Sequence, residues 1–341
     1  MKKKDVFISA VNYQLPKRFE EILLFSPNKQ KIIVGGLDVD KKNKYYPARS
    51  DEKIMRTDVI ASIISISNLL EKLELTEEDK LDMSLFVANS IFIEESNKNM
   101  KRAFSVLNRI KEFGTVEQKL ATIYKNVPPL LALETLTNAT MSFISQYTGI
   151  KGNNTTFGST SHSGFDALEE AFLQIENNQT EKALVGGSNC SGIYSFLTYQ
   201  NFYKNTDGWK ESACSSFLVL GDSGDVKITK IDHNFIKLSI KGLRKNRMWG
   251  DFFRDKSPEF IVYSGGFIQD DFVQNEKEVK SICNDFFSWE REYGNLGSAS
   301  LFMGIAHGYN LIKSGRNKTV DILNRDVYGR ESHIRIEKVI R

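Results

Sequence analysis

Apolar residues recur along this chain with two periods, and the periods set the expected elements. Residues 7–11 and 31–34 are short apolar runs that predict strands. From 57 to 73, Ile60, Ile63, Ile64 and Leu70 fall at helical spacing. A strand at 85–87 follows, then helices over 100–113 and 130–147. Residues 155–157 predict a strand that runs into a Ser- and Gly-rich turn. The helix after it, 164–176, places Leu168, Ala171, Phe172 and Ile175 on one face. Strands are expected at 183–185, 215–220, 226–231 and 259–263, a helix at 297–312, and closing strands at 320–323 and 334–339. Strands alternating with helices argue for an α/β protein with mixed sheets covered by helices. The length allows one large domain or two halves with a seam near 221–225.

Composition narrows the function classes. The 341 residues are 40% hydrophobic and 26% charged, which suits a large buried core and excludes a disordered chain. The net charge of +3 is too small to imply nucleic acid, and the one dense basic run, 241–247, reads as a solvated loop or a contact for an acidic partner. The longest near-apolar stretch, 59–70, is shorter than the roughly 18–20 residues that span a bilayer. Met1 and three lysines resemble the start of a signal peptide, but the charged, short segment after them reads as a strand. A cytoplasmic protein is expected. Cys190, Cys214 and Cys283 lie far apart with no C-x-x-C pair, as expected of free thiols.

The motif search is mostly negative. No phosphate-binding glycine loop, dinucleotide fingerprint, zinc-helix motif or G-x-S-x-G elbow occurs. The pairs Gly35-Gly36 and Gly186-Gly187 suit tight turns. His162, His233, His307 and His333 share no metal-ligand spacing, so no metal is expected.

Residues 152–164, GNNTTFGSTSHSG, resemble without a gap the β-ketoacyl synthase pattern G-P-N-x-x-x-x-T-A-C-x-S-G. Residues 127–129 (VPP) and 138–145 (NATMSFIS) are similar to that family's proline-led helix with its asparagine. Lys53, Met55, Arg56 and Asp58 match its K-x-M-R-x-D helix entry. Residues 183–188 (ALVGGS) match A-x-V-G-G-A. Asp207-Gly208-Trp209, then 217–220 (FLVL), follow its D-G-F … G-V-L-V-L-E segment. The order and spacing of these pieces carry the resemblance over nearly the whole chain. It implies a thiolase-like α/β fold with two similar βαβαβ-type halves, 1–222 and 223–341, in one compact unit with a layered α-β-α-β-α core.

The family's chemistry uses an acylated cysteine at a helix N-terminus, two histidines that assist malonyl decarboxylation, and a G-F-G-G gate loop. The helix dipole favours the thiolate, and fixed donors stabilise the developing charge. Each element is changed here. The cysteine position is Ser161, whose hydroxyl needs an adjacent base to attack. The first histidine matches Ser264, and the second matches Asn295 in a loop one residue shorter. The gate reads Val327-Tyr328-Gly329-Arg330, and Arg330 is expected to fill or cap the space for the acyl thioester. Ser159, Ser161 and Ser163 also suit plain helix N-caps.

The resemblance therefore points to a cysteine-less chain-length factor of a type II polyketide system, the aryl polyene type included. Such a subunit pairs with an active β-ketoacyl synthase and shapes the tunnel for the growing chain. By resemblance, the strand at 155–157 with Phe157 faces the partner, and Met100 and Phe104 reach its tunnel. No cofactor is expected of the chain itself; an acyl carrier protein would deliver its phosphopantetheine thioester to the partner. A second reading makes Ser161 an acyl-transfer nucleophile, with His162 or His333 as its base. A third makes the chain a homodimer that binds a lipid or acyl ligand.

Overall fold

The computed structural model describes residues 3–23, 31–39, 45, 51, 54–90, 105–106, 115–126, 136–190, 193–203, 205–235, 249–253 and 257–340. The expected helix at 100–113, Met100 and Phe104 within it, Lys53, 127–129 and the basic run 241–247 lie outside them or nearly so.

The described chain opens with strands β1 (Val6–Gln14), β2 (Arg18–Leu23) and β3 (Lys31–Gly36), then helices α1 (Thr57–Lys72) and α2 (Glu77–Asp82). Strand β4 (Ser84–Ser90), helices α3 (Val116–Asn126) and α4 (Ala139–Thr148), strand β5 (Asn154–Ser159), helix α5 (Ser163–Glu176) and strand β6 (Lys182–Asn189) follow. Helix α6 (Ile193–Tyr199) leads to strands β7 (Trp209–Ser212), β8 (Cys214–Gly221) and β9 (Val226–Phe235). The last part comprises β10 (Ile261–Ser264), α7 (Gln269–Lys280), β11 (Phe286–Phe287), α8 (Trp289–Tyr293), α9 (Ser300–Lys313), β12 (Thr319–Arg325) and β13 (Arg330–Lys338).

Among the described residues, ten strands form one mixed sheet in the order β11-β10-β12-β13-β9-β1-β8-β6-β4-β5, and β2-β3-β7 form a small second sheet. The ten fall into two sets of one design. In the first, β4 runs parallel to β5 and β6, β6 is antiparallel to β8, and β8 to β1. In the second, β10 runs parallel to β11 and β12, β12 is antiparallel to β13, and β13 to β9. The sets join where Val6, Phe7 and Ile8 pair with β9. Residues 222–225 form the turn between β8 and β9, the last strand of the first set's chain run and the first of the second set.

Burial fixes the layers, because successive strand residues point to opposite faces. Phe86 and Ala88 of β4, Leu218 and Leu220 of β8, and Ile322 and Ile334 of the second set share a core with Phe165, Leu168, Leu301, Phe302 and Ile305 of α5 and α9. Leu85, Val87, Phe217 and Val219 point the other way, onto α1 and Ile144 of α4. Tyr263 and Leu323 meet Val279 of α7 on the outer face of the second set. The result is the layered α-β-α-β-α arrangement, with α5 and α9 in its middle layer. Both Gly-Gly pairs lie inside strands rather than at turns. A Cβ on Gly186 would run into the Phe217 ring, so close strand packing is what needs the glycine there. No helix among the described residues is long and apolar enough to cross a membrane.

Candidate functional site

The middle helices begin side by side, and the loops around their N-termini build the site. Ser159 to His162 lead into α5. Gly294 to Ala299 lead into α9 through a short 3-10 turn, Gly297–Ala299. Gly187 lets that turn close onto β6, since a Cβ there would meet the Ser298 carbonyl oxygen at 2.6 Å. Gly265 and Gly266 leave β10 with φ of 132°, a conformation that favours glycine. The β12–β13 turn supplies Asp326 to Gly329.

These loops enclose a cavity lined by Ser159, Thr160, Ser161, Asn189, Ser195, Tyr199, Glu211, Phe267, Asn295, Ser298, Arg325 and Val327, among others. The space open to the centre of a water-sized sphere is about 20 Å³, room for about one water. Ser161 and Asn295 are thus brought together. Ser264 is not; it lines a smaller hollow with Glu290 and Ser300.

The side chains are engaged in holding the loops. The Ser161 hydroxyl donates to the Arg325 carbonyl over 3.4 Å, a long bond. Asn295 donates from Nδ2 to the Gly266 carbonyl at 3.0 Å and accepts the Gly297 N–H at 2.8 Å. Its main chain pairs with Lys210 and Ser212. The Ser264 hydroxyl donates to the Leu323 carbonyl at 3.4 Å.

Neither histidine expected as a base bonds Ser161. His162 Nδ1 lies 3.2 Å from Asp166, and its ring packs on Phe165 and His233. His333 Nε2 lies 2.6 Å from Asp321, with the ring against Phe252 and Phe253. Burial pulls the His333 pKa down, against the pull of Asp321. The N-cap role of the serines is also absent: His162 holds the N-cap position without a side-chain bond, and Ser163 donates backwards to the Thr160 carbonyl.

The gate residues lie elsewhere than expected. Neither Tyr328 nor Arg330 lines the cavity; Arg325 and Val327 do. Asp326 draws Arg330 aside, accepting its Nε at 2.8 Å and its main-chain N–H at 2.9 Å. Arg330 Nη2 then reaches Ser159 and Thr160 at 3.0 and 2.9 Å. Tyr328 turns outward against Phe202 and Tyr199.

Other site residues escaped the sequence reading. Glu211 is 2% exposed and accepts the Ser195 hydroxyl. Its only sequence signal was an acidic residue two positions after Trp209, in a segment otherwise destined for burial. Burial pushes the Tyr199 hydroxyl up, and the charges of Asp326 and Glu211 add to the effect. Glu290 ties the two loops together. It accepts from the N–H groups of Gly265 and Leu296 and from the Ser300 hydroxyl. Its burial outweighs those bonds and raises its pKa to about 7. No group of three metal-ligating side chains converges among the described residues.

Comparison with known proteins agrees with this architecture. The family model "Beta-ketoacyl synthase, N-terminal domain" matches residues 34–221. A type II polyketide synthase structure, the acyl-carrier protein AntF in complex with its ketosynthase AntDE, is 16% identical with a TM-score of 0.69 over 99% of this chain and 100% of that one. The ketosynthase ApeO in complex with its chain length factor ApeC, from Xenorhabdus doucetiae, is 10% identical with a TM-score of 0.68 over 98% of both chains. A β-ketoacyl synthase from Burkholderia phymatum STM815 is 12% identical with a TM-score of 0.69 over 99% of this chain and 100% of that one. None of the curated proteins matches the sequence. With the family model covering more than half the sequence and the thiolase-like fold in place, the chain belongs to the β-ketoacyl synthase family.

Proposed function

We propose that this chain is a non-elongating ketosynthase-like subunit, a chain-length factor. It pairs with an active, cysteine-bearing β-ketoacyl synthase and helps shape the tunnel for a growing polyketide or polyene chain. The observation that carries this reading is the state of the reactive positions. Serine, serine and asparagine stand where cysteine and two histidines would act, no histidine bonds Ser161, and the cavity has room for about one water.

Two further features support it. Among the described residues, strand β5 ends the sheet and its second edge, with half-buried Phe157 on the strand, pairs with no described strand, which suits pairing with a strand of another subunit. The similar protein ApeO is described with a chain length factor, and AntDE with its acyl-carrier protein. By that likeness an acyl carrier protein would present its thioester to the partner's cysteine. Reconstituted elongation by the pair should survive Ser161→Ala here and stop when the partner's cysteine is replaced. Loss of elongation with Ser161→Ala would favour acyl transfer by Ser161 instead.

A further inference from the structure

A second hollow, far larger than the Ser161 cavity, opens at the other end of the first strand set. The cavity takes Ser159 and Asn189 from the last residues of β5 and β6; this groove takes Ser84 and Lys182 from the first residues of β4 and β6. Helix α2 forms one wall, and residues 178–181, between α5 and β6, form another. Its volume is about 830 Å³, within the roughly 300–1,000 Å³ of small-molecule sites. Carboxylates of Glu78, Asp79, Asp82 and Glu181 line it, against the amines of Lys4 and Lys182. Both amines are already engaged, Lys182 with Asp79 at 2.5 Å and Lys4 with Asp222 at 3.2 Å. Glu78, Asp82 and Glu181 are exposed and form no ion pair among the described residues. Ser84, 1% exposed, lines the same groove, and its hydroxyl finds no hydrogen-bond partner among the described residues. An unpaired buried hydroxyl costs free energy that an entering polar group would recover.

We propose that this groove binds an extended organic polycation of the polyamine class. Glu78 and Asp82 stand one turn apart on α2, where like charges repel, and an ammonium group between them removes that repulsion. Glu181 gives a second point of attachment on the other wall. Methylenes between the ammonium groups lie along Leu81, which is 48% exposed in the same lining. A single metal ion does not fit, because no three metal-ligating side chains converge among the described residues. The inference goes beyond the partner-subunit reading and does not rest on it, since the groove and the Ser161 cavity lie at opposite ends of β6.

The test is calorimetric titration of the full chain with spermidine at low ionic strength, with circular dichroism confirming the fold of each variant. The expected result is saturable one-to-one binding that weakens as salt is added. Glu78→Gln combined with Asp82→Asn should raise the Kd at least fivefold, and Glu181→Gln or Ser84→Ala at least twofold each. Removing two exposed carboxylates elsewhere, Asp207→Asn with Asp270→Asn, should change it less than twofold. Carbodiimide coupling of bound spermidine should then place the amide on Glu78, Asp82 or Glu181 by peptide mass. Absence of saturable binding, equal losses in the groove and control variants, or coupling confined to other carboxylates would overturn the inference. So would magnesium competing at the concentrations at which spermidine binds, which would mean a diffuse counter-ion effect. The outcome is separable from the subunit's role. If the pair assembles and no spermidine binds, the groove alone has been misread; if spermidine binds and no pair assembles, the groove stands and the partner reading fails.

Discussion

On its outer face, the first five-strand set packs hydrocarbon on hydrocarbon. Ile60, Ile63, Ile64 and Leu70 of α1 cover Leu85, Val87, Phe217 and Val219. One buried ion pair, Arg56 with Asp58 at 3.0 Å, marks the entry of α1. The second set has the same strand pairing, but its outer face is strung with buried charges. Arg325 reaches Glu331 at 2.5 Å, Asn275 at 2.9 Å and Glu278 at 3.0 Å, with its guanidinium 4.0 Å above Trp249. Asp321 takes both His333 and Arg335. One topology is thus held by two kinds of force, and loops from both sets contribute to the site.

That contrast can be broken by mutation. The largest effect is expected for Arg325→Ala, which takes the guanidinium away from buried Glu331, Asn275 and Glu278 and should cost about 3–5 kcal/mol in denaturant unfolding. A loss below about 1 kcal/mol would mean the charges do not hold the second set together.

Next comes Glu290, also in the second set. The folded chain keeps a proton up to a pKa of about 7, against the usual 4.5, because burial disfavours the charged form. The unfolded chain gives that proton up first. Stability from this group is therefore complete below about 4.5 and falls as pH rises through about 7, by roughly 3 kcal/mol at most. Glu290→Gln should flatten the fall in thermal unfolding between those limits; an unchanged slope would contradict it.

In the first set, Ile63→Val only trims a fully buried methylene and should cost about 0.5–1.5 kcal/mol, with no pH dependence. The smallest effect is expected at Ser161. Its one long bond implies a stability change within about 0.5 kcal/mol for Ser161→Ala.

The same contrast explains what the sequence revealed. The first set follows simple periods, so the expected α1, α5 and β8 agree with the structure to within a residue at each end, while β6 runs on to Asn189, beyond the expected end at 185, where Gly186 and Gly187 break the apolar run. In the second set, polar residues occupy strand positions. Strand β13 was recognised only from 334, because Arg330, Glu331, Ser332 and His333 do not read as strand. Strand β12 was cut short before Asn324 and Arg325 for the same reason. Helix α7 was missed because its face is largely charged. Helix α2 has no buried residue at all; its only signal is the Thr76–Asp79 capping box.

The site shows the same limit. Motif spacing located Ser161, Ser264 and Asn295 in the chain, and the structure brings two of the three to one cavity. It could not say where side chains turn. Arg330 is drawn off by Asp326, itself the residue that shapes the turn, and Glu211 gains its importance only when β7 and α6 meet.

The most direct measurement is the native mass of the untagged protein co-expressed with its genomic neighbours. The account predicts a one-to-one complex with a second ketosynthase that carries the cysteine this chain lacks. A homodimer alone, with no such synthase bound, would contradict it.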